Sequence, residues 1–484
     1  MSRTSLEQPA GPAAAKPGRM VRVALAFTGW AERWFPDAFV FAAAAVVITA
    51  LAALAVGAPP AAVAKSFGDG FWSLIPFTMQ MAMLAVGGYV VATSPLASRA
   101  IDQVARWPGN GRAAVGIIAA FSLSLSLVNW GISLMFSALL ARAMARRRDL
   151  DMDYRAAGAA SILGIGATWA LGLSSSAAQI QANAGSLPKS IYNIGGVIPF
   201  EQTIFTWQSG LMAAILLVIS IVIALYSAPG GRDAMTAEKM GIEIEEPEKK
   251  TIERPTTPSG WMEHNPAVIV FLVVLAGGWL VQEFATKNAI LAISNLNTYN
   301  LLFLALGMLL HWRPRQFVDA VNKAVPATAG VLIQFPLYGA VAAIMTSAKS
   351  ASGASVSDVI ATWFVKIATV ETFPVVMGIY SAVLGLFIPS GGGKWIIEAP
   401  YVLQAAVNLQ SNLGWAVQAY NAAEALPALI NPFWMLPALG IMGLKARDVV
   451  GFSFLQMIIH APVVMFLLWL LGKTFEYTPP IFLP

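Results

Sequence analysis

The sequence predicts an all-α polytopic membrane protein built as an inverted repeat, with about nine full spans and two re-entrant helical hairpins. Three observations carry that reading. The 484 residues are 57% hydrophobic and only 11% charged, with mean hydropathy +0.67, where a soluble domain has about 25% charged residues. Apolar runs recur at lengths near the roughly 20 residues that cross a bilayer. Lys and Arg crowd some connecting segments and avoid others, and that asymmetry sets orientation.

Residues 1–35 are polar and rich in Pro, Ala, Lys and Arg. They hold no apolar h-region, so they read as a cytoplasmic N-terminal tail and not as a cleaved signal peptide. Full spans follow near 37–57 and 71–93. The apolar stretch 113–145 is too long for one span and is interrupted at its centre by Asn129-Trp130-Gly131. Arg99, Arg106 and Arg112 precede it, and Arg142, Arg146, Arg147, Arg148 and Arg155 follow it. The positive-inside rule puts both flanks in the cytoplasm, so the stretch leaves and returns to one side as a hairpin. Spans near 156–176 and 203–226 complete a first repeat, 36–226.

The segment 227–265 carries Glu243, Glu245, Glu246, Glu248, Lys249 and Lys250 and reads as a solvated cytoplasmic linker. A connecting helix near 266–286, in the segment 266–298, inverts the second copy. That copy, 299–484, has spans near 299–312, 326–348, 419–443 and 450–472. It also has an interrupted apolar stretch, 372–407, whose flanks are poor in Lys and Arg. The interruption is Pro389-Ser390-Gly391-Gly392-Gly393-Lys394-Trp395. Most of the 30 Lys and Arg residues fall on the cytoplasmic side in this arrangement, which places the N-terminus in the cytoplasm and the protein in the bacterial cytoplasmic (inner) membrane.

Composition excludes several classes. There is no cysteine, hence no disulfide and no thiolate chemistry, and the 3 histidines (His264, His311, His460) are too scattered for a metal cluster. Gly393-Lys394 is no phosphate loop, because Ile388 and Trp395 stand where its Gly and Ser or Thr belong. No zinc-protease motif, nucleophile elbow or nucleotide fingerprint is present. The sequence argues against an enzyme, and the +5 charge, spread over cytoplasmic loops, does not indicate nucleic-acid binding.

What remains is a carrier. Broken backbone at membrane depth is tolerated only around a cavity or inside protein, and paired breaks in corresponding halves point to a transport site. Gly391, Gly392 and Gly393 leave backbone N–H groups free just before Trp395, and Lys394 adds a positive charge, together a cradle for a carboxylate. Glu398 falls on the same helical face as Lys394 and can pair with it. Asn129 suits a substrate, a sodium ion or a helix cap. Ser174, Ser175 and Ser176 end one span, and Asn431 interrupts another at the matching place. Trp130, Trp395 and Trp434 each adjoin a break and can wall a pocket for a short alkyl chain. Glu424 lies within a span and, with Glu398, Asn129 and Asn431, is a candidate for a coupling proton or sodium ion. No cofactor is expected beyond that ion.

The chain resembles the bacterial short-chain fatty acid transporter family, of the acetoacetate and butyrate type. The resemblance rests on Pro389-Ser390-Gly391-Gly392-Gly393 with Trp395, and on Pro432-Phe433-Trp434 with Leu436-Pro437-Ala438-Leu439. Gly68-Asp69-Gly70-Phe71-Trp72, Asn129-Trp130-Gly131, Gln334-Phe335-Pro336 and Thr372-Phe373-Pro374 extend it over nearly the whole chain. The family looks like a branch of the ion-transporter superfamily of citrate and dicarboxylate carriers, which implies a homodimer and elevator-type alternating access. The chain departs from the family pattern at Lys394, where Gln or His is usual, and at Glu398-Ala399 in place of Gln-Gly. It departs again around Glu424 and at Asn431. The resemblance implies a proton- or sodium-coupled symporter of short-chain fatty acids or similar small organic anions. An amino acid or dicarboxylate carrier is the alternative, and a passive anion channel is a more distant one.

Overall fold

The computed structural model describes residues 38–185, 187–244, 256–287, 289–386, 388 and 391–482. The tail expected at 1–35, the linker residues Glu245, Glu246, Glu248, Lys249 and Lys250, and Ser390 lie outside the described residues. Those described are helical or irregular, apart from an isolated bridge that joins Gly196 and Val197 to Ile481.

The first half contains α1 (Ala38–Ala55), α2 (Pro60–Ser73), α3 (Ile75–Ala92), α4 (Pro95–Val104), α5 (Gly111–Val128) and α6 (Trp130–Ala145). It continues with α7 (Tyr154–Ala167), the short α8 (Ser176–Ala182) and α9 (Lys189–Gly195), and α10 (Trp207–Ser227). Between the halves lie α11 (Pro258–His264), α12 (Pro266–Thr286) and α13 (Ala289–Ser294). The second half contains α14 (Leu296–His311), α15 (Pro314–Ala324), α16 (Ala329–Ser347), α17 (Val356–Ile367) and α18 (Phe373–Gly385). It ends with α19 (Gly391–Leu409), α20 (Leu413–Ala428), α21 (Pro432–Met442) and α22 (Ala446–Gly472).

Local chemistry fixes many of the helix starts. Asn110 Oδ1 accepts from Ala113 N at 2.9 Å, and Asn412 Oδ1 from Trp415 N at 2.8 Å. Ser355 and Asp358 form a reciprocal capping box at the head of α17. Proline opens α2, α4, α12 and α15, where its missing N–H costs nothing.

Among the described residues, six helical stretches are long and apolar enough to cross a membrane: Pro60–Ala92, Gly111–Val128, Tyr154–Ala182, Trp207–Ser227, Pro266–Thr286 and Ala446–Gly472. Shorter apolar helices accompany them. Burial sorts these stretches. The apolar window of Tyr154–Ala182 is 89% buried and that of Pro266–Thr286 only 11%. A helix apolar all round and buried is a core helix, whereas one apolar and bare needs lipid. The first therefore lies at the centre of the molecule and α12 at its lipid face.

The two apolar stretches with central breaks fold back on themselves. Ser133 Oγ on α6 donates to Ser122 O on α5 at 2.7 Å, and the Tyr380 hydroxyl on α18 lies 3.2 Å from that of Tyr401 on α19. The halves interlock. The second-half helix α16 packs on α1 and α2, while α6 packs on α21, and α7 on α20, α21 and α22. Two large hydrophobic cores result, one around α1, α2 and α16–α20 and one around α5–α7 and α21. Trp130 and Ile132, just beyond Asn129, border both. The break in the first half therefore sits at the seam between the cores.

Candidate functional site

Four helix interruptions meet at that seam. At the first, Asn129 is extended (φ −152°, ψ 120°) and caps α6, its Oδ1 accepting from Ile132 N at 3.0 Å. Its Nδ2 is buried and makes no hydrogen bond, with the Tyr299 hydroxyl beside it. The Tyr299 hydroxyl of α14 donates to the neighbouring Val128 carbonyl.

The second interruption separates α7 from α8. The Trp169–Leu171 turn is followed by Gly172, which packs so closely on the Leu127 backbone that a Cβ there would overlap it. The second break is thereby held against the first. Ser175 caps α8, accepting from Ala178 N at 3.1 Å, and donates to Asn421 Oδ1 of α20 at 3.0 Å. Ser176 Oγ faces Met81 Sδ at 3.8 Å. Ser174 Oγ is buried and unpartnered.

The third interruption precedes Gly391 and the fourth separates α20 from α21. Asn431 Nδ2 donates to Leu386 O at 3.3 Å, joining the two. Tryptophans tie all four together. The Trp434 ring lies 6.3 Å from that of Trp130 and 6.3 Å from that of Trp169. A Cβ on Gly391 would run into the Trp169 ring. Only glycine fits there, so α19 begins against an indole. Trp169 Nε1 is itself buried without a partner. Gly392 faces Ser176 and Phe77.

One helical turn into α19 lies a charge cluster. Lys394 and Glu398 are fully buried, and Glu424 of α20 is 2% exposed. Lys394 Nζ donates to Ser381 O at 2.9 Å, to Ser381 Oγ at 2.6 Å and to Glu398 Oε1 at 2.9 Å. Those three bonds use every donor of an ammonium group. Glu424 Oε2 is a fourth oxygen at 2.7 Å, an ion pair whose angle makes no hydrogen bond. The Tyr420 ring stacks under the ammonium, 4.4 Å from its centroid, and the Tyr420 hydroxyl donates to Gly391 O at 2.5 Å. Glu398 Oε2 is buried and makes no hydrogen bond.

The Lys394–Glu398 pair that the spacing allowed is therefore formed, with Glu424 as a further member. Lys394 is not the free cation of a carboxylate cradle: its donors are spent on Ser381 and Glu398. Glu424 does have a partner, which the sequence did not reveal because it comes from another helix. Of the expected tryptophans, Trp130 and Trp434 join the seam. Trp395 instead donates from Nε1 to Gln181 Oε1 at 3.2 Å and packs on Tyr420, ring centroids 4.7 Å apart. The third indole at the seam is Trp169. It stands three residues before Gly172 and the serine run, and the rule that singled out tryptophans beside helix breaks applies to it equally. Ser381 and Tyr420, the remaining partners of Lys394, carry no local signal. Among the described residues no group of three or more His, Cys, Asp or Glu side chains is placed to hold a metal.

A buried junction of broken helices inside a polytopic helical fold fits a membrane transporter. The chain matches the short chain fatty acid transporter family over residues 19–471 and belongs to it. It is 32% identical over 435 residues to an Escherichia coli (strain K12) protein provisionally named a short-chain fatty acid transporter, covering 89% of this chain and 95% of that one. A Haemophilus influenzae protein of the same provisional name is 30% identical over 458 residues, covering 93% and 99%. Among solved structures the fold is similar to the YdaH transporter of Alcanivorax borkumensis (TM-score 0.55, 14% identity, 91% and 98% covered). It is also similar to MtrF of Neisseria gonorrhoeae, described within a class of antimetabolite efflux pumps (TM-score 0.50, 13% identity, 95% and 98% covered). The protein is thus a multi-pass membrane transporter that binds a small-molecule substrate within a lipid bilayer.

Proposed function

We propose that the protein carries short-chain fatty acids, or similar small monocarboxylates, across the cytoplasmic membrane by alternating access, coupled to protons or sodium. The N-terminus is cytoplasmic, α5–α6 and α18–α19 are re-entrant hairpins entering from opposite sides, and the working unit is a homodimer. The substrate carboxylate binds at the seam, near Asn129, Ser174 and Trp169, with Asn431, Ser175, Ser176 and the Gly391–Gly393 backbone around it. Trp130 and Trp434 enclose the alkyl chain. Family membership supports the substrate class.

One observation carries the placement. Trp169 Nε1, Asn129 Nδ2 and Ser174 Oγ are buried and make no hydrogen bond, on the two breaks that Gly172 holds against each other. Each such group costs about 1–3 kcal/mol unless something satisfies it. All three can donate, and none is charged. Uncharged donors bind a carboxylate without having to exchange an ion pair, and an alkyl wall suits a chain too short to reach far. The internal use of Lys394 removes the cation that a dicarboxylate or zwitterion site would need there.

The test is thermal stabilisation of the purified protein by a panel of carboxylates and amino acids, with and without sodium. Butyrate or acetoacetate should raise the melting temperature in a saturable way. Stabilisation by amino acids or dicarboxylates alone would sink the proposal.

A further inference from the structure

The Lys394 cluster is out of charge balance. With all three groups ionised it carries one surplus negative charge, in a place where Lys394 and Glu398 are fully buried and Glu424 nearly so. A buried charge without a counterion is strongly unfavourable. The ammonium cannot supply more, because its three donors are committed to Ser381 and Glu398. Glu398 Oε2 makes no hydrogen bond, although Ser381 also lies against that carboxylate. A closed cluster therefore needs one more positive charge.

A metal cation fits poorly. Lys394 Nζ already occupies the point between the carboxylates, 2.9 Å from one and 2.7 Å from the other. A hard cation would need several further oxygens, and the described residues bring no third acidic group there. A proton needs only a carboxylate oxygen.

We infer that the Lys394–Glu398–Glu424 cluster is a proton-coupling site, which gains one proton as the carrier closes on a carboxylate and releases it when the carrier empties. The inference rests on the carrier reading above and names its coupling ion. On release, the carboxyl O–H bond breaks, the electron pair stays on the carboxylate and the proton passes to water. The substrate anion and the proton then cross together, and the loaded carrier bears no extra charge.

The surroundings supply a route. Gly385, the last residue of α18, lies against Glu424 Oε2 and Pro427, at 3.0 and 2.6 Å from where its Cβ would be. Asn431 ties the adjoining break to Leu386. Rearrangement of the α18–α19 and α20–α21 breaks during transport would therefore open Glu424 to water. The charged and titratable groups acting on Glu424 are Lys394 and Glu398 from α19. Tyr338 of α16 and Tyr420 of its own helix lie within its field. From α18 come Ser381 and the backbone at Gly385. On α22, His460 faces Ser220 of α10, and Lys473, just past the helix end, faces Glu371. On α7, Tyr154 bonds Met442 O and Arg155 pairs with Asp153.

The experiment measures protons taken up with a pH-indicator dye when butyrate is added to purified protein in weakly buffered, mildly alkaline solution. Wild type should take up about one proton per butyrate bound. Glu424→Gln and Glu398→Gln each leave a balanced Lys–Glu pair, so uptake should fall to none. The double variant K394Q/E398Q again has one unbalanced carboxylate, and uptake should return. Butyrate binding without uptake in wild type, persistent uptake in Glu398→Gln, or no return in the double variant would each overturn the inference. If butyrate fails to stabilise wild type, the carrier reading fails, and the cluster is read without ligand. Melting temperature should then drop more steeply with rising pH in wild type than in Glu398→Gln, because only wild type loses a bound proton. Parallel curves would overturn the proton site on its own.

Discussion

Trp169 holds an indole N–H in the interior with nothing to accept it. An orphan of that kind can be either a defect or a binding group, and one substitution separates the two. Replacing Trp169 by its isostere 3-benzothienylalanine keeps the bicyclic ring against Trp434 and Gly391 and removes only the donor. If the N–H is a defect, stability should rise by about 1 kcal/mol or more, since an unsatisfied buried donor costs about 1–3, and butyrate binding should not change. If it binds the carboxylate, it makes a hydrogen bond to a charged group worth about 1.5–3 kcal/mol. Affinity should then weaken by roughly tenfold to a hundredfold while the unliganded melting temperature holds or rises. We expect the second outcome, read by titration calorimetry and thermal melting of the same samples. Lys394 gives the opposite signature. Lys394→Met leaves two facing carboxylates without a cation, and breaking a buried pair costs about 3–5 kcal/mol. That loss should appear in the melting temperature before any substrate is added.

Breaks, more than helices, organise this site, and the sequence exposed them unequally. Asn129-Trp130-Gly131 and the Pro-Ser-Gly-Gly-Gly run were legible because polar or glycine residues interrupt long apolar stretches. The serine run at 174–176 and Asn431 were legible for the same reason. The helix ends at 167 and 428 were not, because Ala167 and Ala428 read as continuous apolar chain. The span expected at 156–176 is α7 with the turn that leads to α8 at Ser176, and the one expected at 419–443 is two helices joined by a turn. Which breaks touch was also hidden, because Trp169 against Gly391 and Lys394 against Glu424 are contacts between distant segments with no pairing periodicity. The Gly391 contact is open to test. Alanine is the better helix former by about 1 kcal/mol, yet a Cβ at 391 would overlap the Trp169 ring. Forcing an overpacked interior costs about 1–3 kcal/mol, so the steric term should win. Gly391→Ala should lower the melting temperature and shift Trp fluorescence, and pairing it with Trp169→Phe should relieve part of the clash, since the overlapped atoms belong to the outer six-membered ring of the indole. Trp169→Leu should relieve it. Equal stability of Gly391→Ala and wild type would mean that this junction is loose.

At the scale of the whole molecule, hydropathy and charge gave the helical membrane class and the extents of most apolar segments, but not the way the halves engage. A chain of two repeats could fold as two side-by-side bundles. Here α16 instead packs on both α1 and α2, α21 covers α6, and α20–α22 cover α7. Alone, the first half would expose the apolar surface that α16 covers on α1 and α2, along with the α6 and α7 faces buried by α21. The second half alone would expose the reciprocal faces, together with Glu424 near the seam. The connection between halves matters far less, because α12 is largely bare to its surroundings, with only 11% of its apolar window buried. Cutting the chain within residues 245–255 should therefore leave a competent molecule when the two pieces are made together. The pieces should copurify in mild detergent and melt as one unit, and butyrate should stabilise the pair as it does the intact chain. Either piece made alone should aggregate. Independent, monodisperse folding of one piece would show that the interlocked packing is not what holds the seam together, and the assignment of substrate contacts from both halves to one site would fall with it.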